Sequence, residues 1–353
     1  MKKTIVFVRM KPLILFLSIT LALNACRGTK DKPDVSGIPV RLETQRFEQD
    51  LFVLDTNNIG PSLQALAQKY PGFMQDFMLN ILGLQPADSQ FSFALKKFIA
   101  DFKPVKQSSD QEFTDFKKYS DEVKKMLQYT KHYFPEYPLP EKLITYIGPM
   151  DAFYEASLGW SGDIITSSGL GVGLQMHLIN VSPSLYREGE GGQGYPAYIS
   201  RRFTPEYIPV NSAKNIIDDL YPDQSKTSAL IDQMVDKGKR LYILDLLLPD
   251  TNDSLKIGYT GNQLAGCQKN EALVWNLFTA NNLLYETDYK KIKSFVSEGP
   301  KTMELGDDSP GYIALFSGWQ IVKAYMKKNP DTTPKQLLAL NNRKVFEGSK
   351  YKP

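Results

Sequence analysis

Residues 211–250, NSAKNIIDDLYPDQSKTSALIDQMVDKGKRLYILDLLLPD, constrain this chain more than any other stretch. They predict two consecutive helices meeting at Tyr221-Pro222-Asp223. In the second, Ile231, Met234, Val235, Gly238, Leu241 and Tyr242 recur every three or four residues and so share one face. Such a stripe must be covered by another element. Charge nevertheless enters the same neighbourhood: Asp218 and Asp219 in the first helix, then Asp232, Asp236, Lys237 and Asp245 in the second. A charge taken from water into an apolar interior needs a partner or a function. Asp218, Asp219, Asp236 and Lys237 are therefore the candidate pocket.

The beginning of the chain decides how such a core must hold together. Met1-Lys2-Lys3, with Arg9 and Lys11, precedes an apolar run at residues 12–23 that is too short to span a bilayer and reads as a signal peptide over residues 1–25. It ends Leu23-Asn24-Ala25-Cys26, which resembles the lipobox of bacterial lipoproteins and makes Cys26 the lipidation site and mature N-terminus. Acyl chains contribute about 0.8 kcal/mol per buried methylene, enough for two or three chains to hold a protein on its membrane. The only other cysteine is Cys267, so an alkylated Cys26 leaves no intramolecular disulfide. The fold must then rest on packing. Removing the leader takes four of the 42 basic residues and none of the 39 acidic ones, so the mature chain is near neutrality. Nothing in that balance points to nucleic acid.

Residues 27–38, RGTKDKPDVSGI, are polar with Pro and Gly; with Cys26 they predict a lipidated tether over residues 26–38 ahead of a single domain at 39–353. A first strand is expected within residues 39–46, a helix over 62–70 that Pro71 stops, and further helix stripes from Phe73 to Phe102. Ser109 and Glu112 form a capping-box pattern ahead of Phe113, Phe116, Val123, Met126 and Leu127. Residues 143–147 and 163–166 are β-like runs. Ser168-Gly169-Leu170-Gly171-Val172-Gly173 lacks the spacing of a dinucleotide loop and the Lys-Ser/Thr of a P-loop, so no nucleotide is expected; the glycines are read as permitting close backbone approach. Residues 250–254, DTNDS, are expected as a turn, because Leu255 and Gly261 stand where a calcium loop needs Gly and Glu. One helix is expected over 261–285 with Cys267 in the core, one from Ser309-Pro310 to Lys328, and a last one from Thr333-Pro334. Gly311, Gly318 and Trp319 point to close helix packing. The fold class is α+β, helix-dominated, with a small β-sheet.

Histidine limits the chemistry, for there are only two. His132 lies in a Lys- and Tyr-rich helix end, and His177 reads as a satisfied, buried residue. There is no H-E-x-x-H, and Gly159-Trp160-Ser161-Gly162 is followed by Asp163, so there is no nucleophile elbow either. Cys267 sits in an apolar helix without a flanking base. We therefore assign no catalytic, cofactor-binding or metal-ligating residue. Trp160, Trp275 and Trp319 motivate a glycan-binding alternative, set against the usual place of aromatics in a core.

Several stretches resemble the gliding-motility lipoprotein GldB family: RFEQDLFVLDTNN at 46–58, KYPGF and NILGL within 69–84, GLGVGLQMHL at 169–178, and YISRRFTPEYI at 198–208. Others are LIDQMVDKGKRLYILDLLLPDTNDSLKIGYT at 230–260, SPGYIALFSGWQIVKAYMKKNP at 309–330 and the terminal SKYKP. The resemblance covers nearly the whole mature chain. It implies a lipid-anchored envelope protein, periplasm-facing or on the outer surface, that works with other envelope proteins in motility or secretion machinery. That family is in turn similar to zinc-peptidase-like proteins, which implies a degenerate zincin-like scaffold. Their metal helix would fall at KNIIDDLYP, residues 214–222, which holds no histidine, and Lys237 stands where an acidic third ligand is expected. Zinc needs His, Cys or carboxylate ligands in tetrahedral array. The resemblance thus implies the scaffold without the catalyst: a non-catalytic pseudo-peptidase. The alternative is a metal-dependent or carboxylate-based hydrolase in the same cleft.

Overall fold

A computed structural model describes residues 32–85, 87–187 and 194–353. The leader, the lipobox and Cys26 lie outside the described residues. Residues 35–353 form one compact unit. Among the described residues no helix is long and apolar enough to cross a membrane.

A small mixed sheet sits at the centre. The strands of the chain are β1 (Glu43–Arg46), β2 (Lys142–Tyr146), β3 (Tyr154–Ala156), β4 (Gly159–Ser161), β5 (Ile164–Thr166) and β6 (Gly169–Gly173). Four of them lie in the order β1-β2-β6-β5, the first three parallel and β5 antiparallel on the edge, while β3 and β4 pair as a separate hairpin. The period-two alternation of a strand divides β2 between two cores. Leu143 joins one and Ile144 and Tyr146 the other.

The smaller core lies under the first helices: α1 (Phe47–Leu51), α2 (Ile59–Lys69), α3 (Phe73–Asp76) and α4 (Phe91–Asp101). Phe47, Phe73, Phe77 and Tyr146 pack edge-on and tilted, with Phe47 and Phe77 centroids 4.7 Å apart. Next come α5 (Lys103–Glu112), α6 (Lys117–Tyr133), α7 (Ala197–Ser200), α8 (Tyr207–Leu220), α9 (Leu230–Leu247) and α10 (Asp253–Ile257). The chain ends with α11 (Gly261–Lys269), α12 (Glu271–Ala280), α13 (Tyr289–Val296), α14 (Ile313–Lys328), α15 (Pro334–Ala339) and α16 (Asn342–Ser349). The larger core runs from the sheet through α6, α8, α9 and α14. The molecule is helix-dominated α+β.

The glycine run 169–173 is a strand, and its glycines are there for space. A Cβ at Gly173 would stand 2.6 Å from the Gly162 carbonyl oxygen, so the backbones meet where no side chain fits. The same logic fixes the main helix crossing. A Cβ on Gly238 of α9 would lie 2.1 Å from the Gly318 oxygen of α14, and one on Gly318 would lie 1.8 Å from the Met234 oxygen. These two helices touch backbone to backbone.

Several boundaries differ from the expectations. Residues 221–229 are a connection rather than a corner, because Pro222 ends α8 and α9 starts only at Leu230. Ser109 caps nothing: Pro104 at the first turn starts α5, which carries Ser109 buried inside it. Residues 250–254 are more than a turn, since the Asn252 side chain accepts from Ser254 N and caps α10. The expected helix over 261–285 divides at Asn270 into α11, which has a Thr260/Gln263 capping box, and α12. The Ser309-Pro310 helix starts at Ile313, after Tyr312 in a left-handed conformation (φ 58°).

Candidate functional site

α8 and α9 bring together two of the four expected pocket residues. Asp218 lies near the end of α8, and Asp236 and Arg240 lie one turn apart on the same face of α9. The Arg240 side chain has no exposed surface. Its Nε donates to Asp236 Oδ2 at 2.9 Å and its Nη1 to Asp218 Oδ1 at 2.9 Å. The guanidinium also lies over the Tyr221 ring, 4.7 Å from its centre. Asp218 accepts further bonds from Ser157 N at 2.9 Å and from Ser157 Oγ. One arginine thus ties α8, α9 and the β3–β4 hairpin together. The hairpin is held again from the cap of α14, where Tyr312 Oη donates to the Ser157 carbonyl at 3.3 Å.

The other two residues go elsewhere. Asp219 is exposed and accepts from Tyr137 Oη at 2.6 Å. Lys237 pairs with Asp223 in the α8–α9 connection. Burial would raise the Asp223 carboxyl, but Lys237 and the Ser225 donors outweigh it and hold it down at about 2. Asp245 accepts from Trp319 Nε1 at 2.8 Å and from Lys256 Nζ at 2.7 Å. Asp232 accepts from Arg343 Nη2 at 2.7 Å. The charge that enters the apolar pair is therefore spread over separate, internally matched partners.

Two neighbours complete the chemistry of the region. Lys214, one turn before Asp218, donates to the Leu158 carbonyl at 3.1 Å. Its burial, and then the nearby Arg202 charge, push the amine down to about 8. His177 is 1% exposed. Its Nε2 lies 3.0 Å from both Asp163 oxygens and its Nδ1 2.9 Å from the Thr204 carbonyl oxygen. Nδ1 faces a carbonyl, which can only accept, so it carries a proton, and Nε2 faces the Asp163 carboxyl group. Burial pulls that imidazole down, and the Asp163 carboxylate and Thr204 carbonyl more than reverse it. Asp163 also accepts from Asn211 Nδ2 and Gly173 N, each at 2.9 Å. This pair is a support for the sheet edge. Cys267 is 4% exposed, and burial lifts its thiol to about 12, out of reach of nucleophilic work at neutral pH. Trp319 is fully buried and Trp275 packs on Phe346 and Tyr351; Trp160 is 43% exposed and stacks on Phe153.

The peptidase resemblance implies a zinc ion between α8 and α9, and the residues there do not fit one. The position between the carboxylates is taken by the Arg240 guanidinium, a fixed positive charge that repels a metal. The helix turn that would supply histidines supplies Lys214 and Asp218. Among the described residues no group of three or more His, Cys, Asp or Glu is arranged to hold a metal. Arg240 escaped the sequence reading, although the Asp236–Arg240 spacing of one helical turn was its signal.

Fold and site define a helix-dominated α+β domain whose central carboxylates are engaged by the chain's own cations. The chain belongs to the GldB family: the family model of the gliding motility protein GldB matches residues 28–353. No curated protein and no solved structure matches the chain.

Proposed function

We propose that this protein is a non-catalytic, lipid-anchored component of the cell envelope, periplasm-facing, that binds other envelope proteins in machinery related to gliding motility and secretion. Its core is a zincin-like scaffold in which Arg240 has taken the place of the metal. The observation that carries this reading is the Arg240 bridge: a buried guanidinium shared by Asp218 and Asp236 leaves no open face for a nucleophilic water or a substrate carbonyl. Membership of the GldB family supports the motility association, and Leu23-Asn24-Ala25-Cys26 supports the anchor at Cys26.

The hydrolase alternative needs a free carboxylate or a metal where the guanidinium stands. The glycan alternative loses Trp319 to the interior and much of Trp275 to packing on Phe346 and Tyr351, and keeps Trp160. Metal analysis of the purified mature protein tests the reading. We expect no stoichiometric zinc and no peptide hydrolysis after zinc loading; stoichiometric zinc removed by a chelator together with loss of hydrolysis overturns it. Deletion of the gene is expected to impair motility, secretion or envelope integrity, and a strain normal in all three counts against a machinery role.

A further inference from the structure

A groove of about 380 Å³ opens between α6, the first turn of α8 and the α9–α10 connection, away from the Arg240 cluster. That size is within the range of ligand pockets, which combine apolar walls with a few placed polar groups. The floor is apolar: Met126, Tyr129, Leu247 and Leu248 line it, and all four are buried. The rim carries Glu122 of α6 and Glu206 at the N-terminal cap of α8, both exposed.

The charges on this rim are not matched as those of the core are. On the far side Lys125 is engaged by Asp250 at 2.8 Å. Neither Glu122 nor Glu206 is in an ion pair among the described residues. Burial raises the Glu122 carboxyl; Lys118 opposes the rise and the Glu206 charge adds to it. Glu112, beyond them, is raised by burial and again by Glu206. Glu122 and Glu206 thus line one groove with an apolar floor. The Lys118 ammonium rests 5.4 Å from the centre of the neighbouring Tyr119 ring, on the same groove.

We infer that this groove receives the arginine or lysine side chain of a partner protein's extended segment, its aliphatic stem above the Met126 floor against the half-buried Tyr119 and Leu255 and its cation between Glu122 and Glu206. A basic side chain is the group that has both an apolar stem and a positive head. The inference names the partner chemistry of the scaffold reading above and rests on that reading for its biological sense alone. Stoichiometric zinc would sink the scaffold and leave the groove's preference intact, whereas a failed titration here would leave the metal question where it stands.

The test uses the mature protein labelled at methionine methyl carbons, with Met126→Leu to assign its signal, titrated with N-acetyl-arginine amide and its neutral analogue N-acetyl-citrulline amide at low salt. We expect a saturable shift at Met126, with the citrulline compound weaker by about fivefold, what one exposed ion pair is worth. The Glu122→Gln/Glu206→Gln variant, altered only at exposed positions, should lose that preference. Lys118→Ala, which removes a competing cation, should tighten arginine binding. An unmoved Met126 signal, equal binding of the two compounds, or a preference that survives in the double variant overturns the proposal.

Discussion

Replacing Arg240 by methionine removes the cation and keeps much of the volume, so the consequence is electrostatic. Asp236, with a side chain only 3% exposed, loses the partner that offsets its desolvation. Asp218, 26% exposed, keeps its bonds from Ser157. A stranded buried carboxylate can escape by taking up a proton. That costs about 1.4 kcal/mol for each pH unit above the unfolded value near 3.9, which is about 4 kcal/mol at pH 7 and about 1.5 at pH 5. The figure at pH 7 agrees with the roughly 3–5 kcal/mol seen when one partner of a buried pair is deleted. The sign follows from proton counting. In the variant the folded state holds a proton that the unfolded state has released, so stability falls as pH rises above about 4. Urea unfolding of wild type and Arg240→Met at pH 5 and pH 7 should therefore give a gap that widens by about 2–3 kcal/mol. Adding Asp236→Leu removes the stranded charge and should restore most of the loss at pH 7. A loss below about 1 kcal/mol with the same gap at both pH values would show that the guanidinium does not hold these carboxylates.

Gly318→Ala places a methyl 1.8 Å from the Met234 oxygen, so α9 and α14 must separate. The propensity gain of roughly 1 kcal/mol is outweighed by overpacking, and we expect a net loss of about 2 kcal/mol or more in denaturant unfolding; an unchanged midpoint would mean the crossing has slack. His177, flanked by Asp163 and the Thr204 carbonyl, has its folded pKa raised, so its contribution is complete below the unfolded value near 6.5 and is lost as pH rises through the folded one. Proton NMR of the His177 ring should show titration above that of a free imidazole, and Asp163→Asn should lower it; a midpoint below about 6.5 in the wild type contradicts the paired arrangement.

The helices were legible where apolar spacing is regular, as in α6, α9 and α14, because one side of each has to be covered. Boundaries were less so. Asn270 divides α11 from α12 without a Pro, its signal being only Lys269 in the last turn of one and Glu271 in the first turn of the other, and Asn252 caps a helix of five residues that is too short to show a period. The strand at Gly169–Gly173 was hidden for a related reason. Glycines carry no period-two pattern, and what selects them here is the approach of Gly162 and Lys142, neither of which can be read from the run itself.

The site was half legible, and the missing half is a matter of helical phase. An unpaired carboxylate at Asp236 would be untenable inside the core, so a cation was required; which of Lys237, Lys239 and Arg240 supplies it depends on direction. Residues 236 and 240 differ by one turn and face the same way, whereas 237 points about 100° aside. Accordingly Lys237 reaches Asp223 in the connection before α9, and Lys239 reaches the Leu340 carbonyl at 2.5 Å at the end of α15. Arg240 alone reaches α8. All three are buried around the point where α14 crosses at Gly238. A charge buried there must be placed on a partner. The phase of those charges then fixes how α8, α15 and the α8–α9 connection are arranged about α9. That is why Lys237, in the position where the peptidase resemblance expects an acid, is a structural contact, and why the cation that bridges Asp218 and Asp236 is the one a turn beyond Asp236.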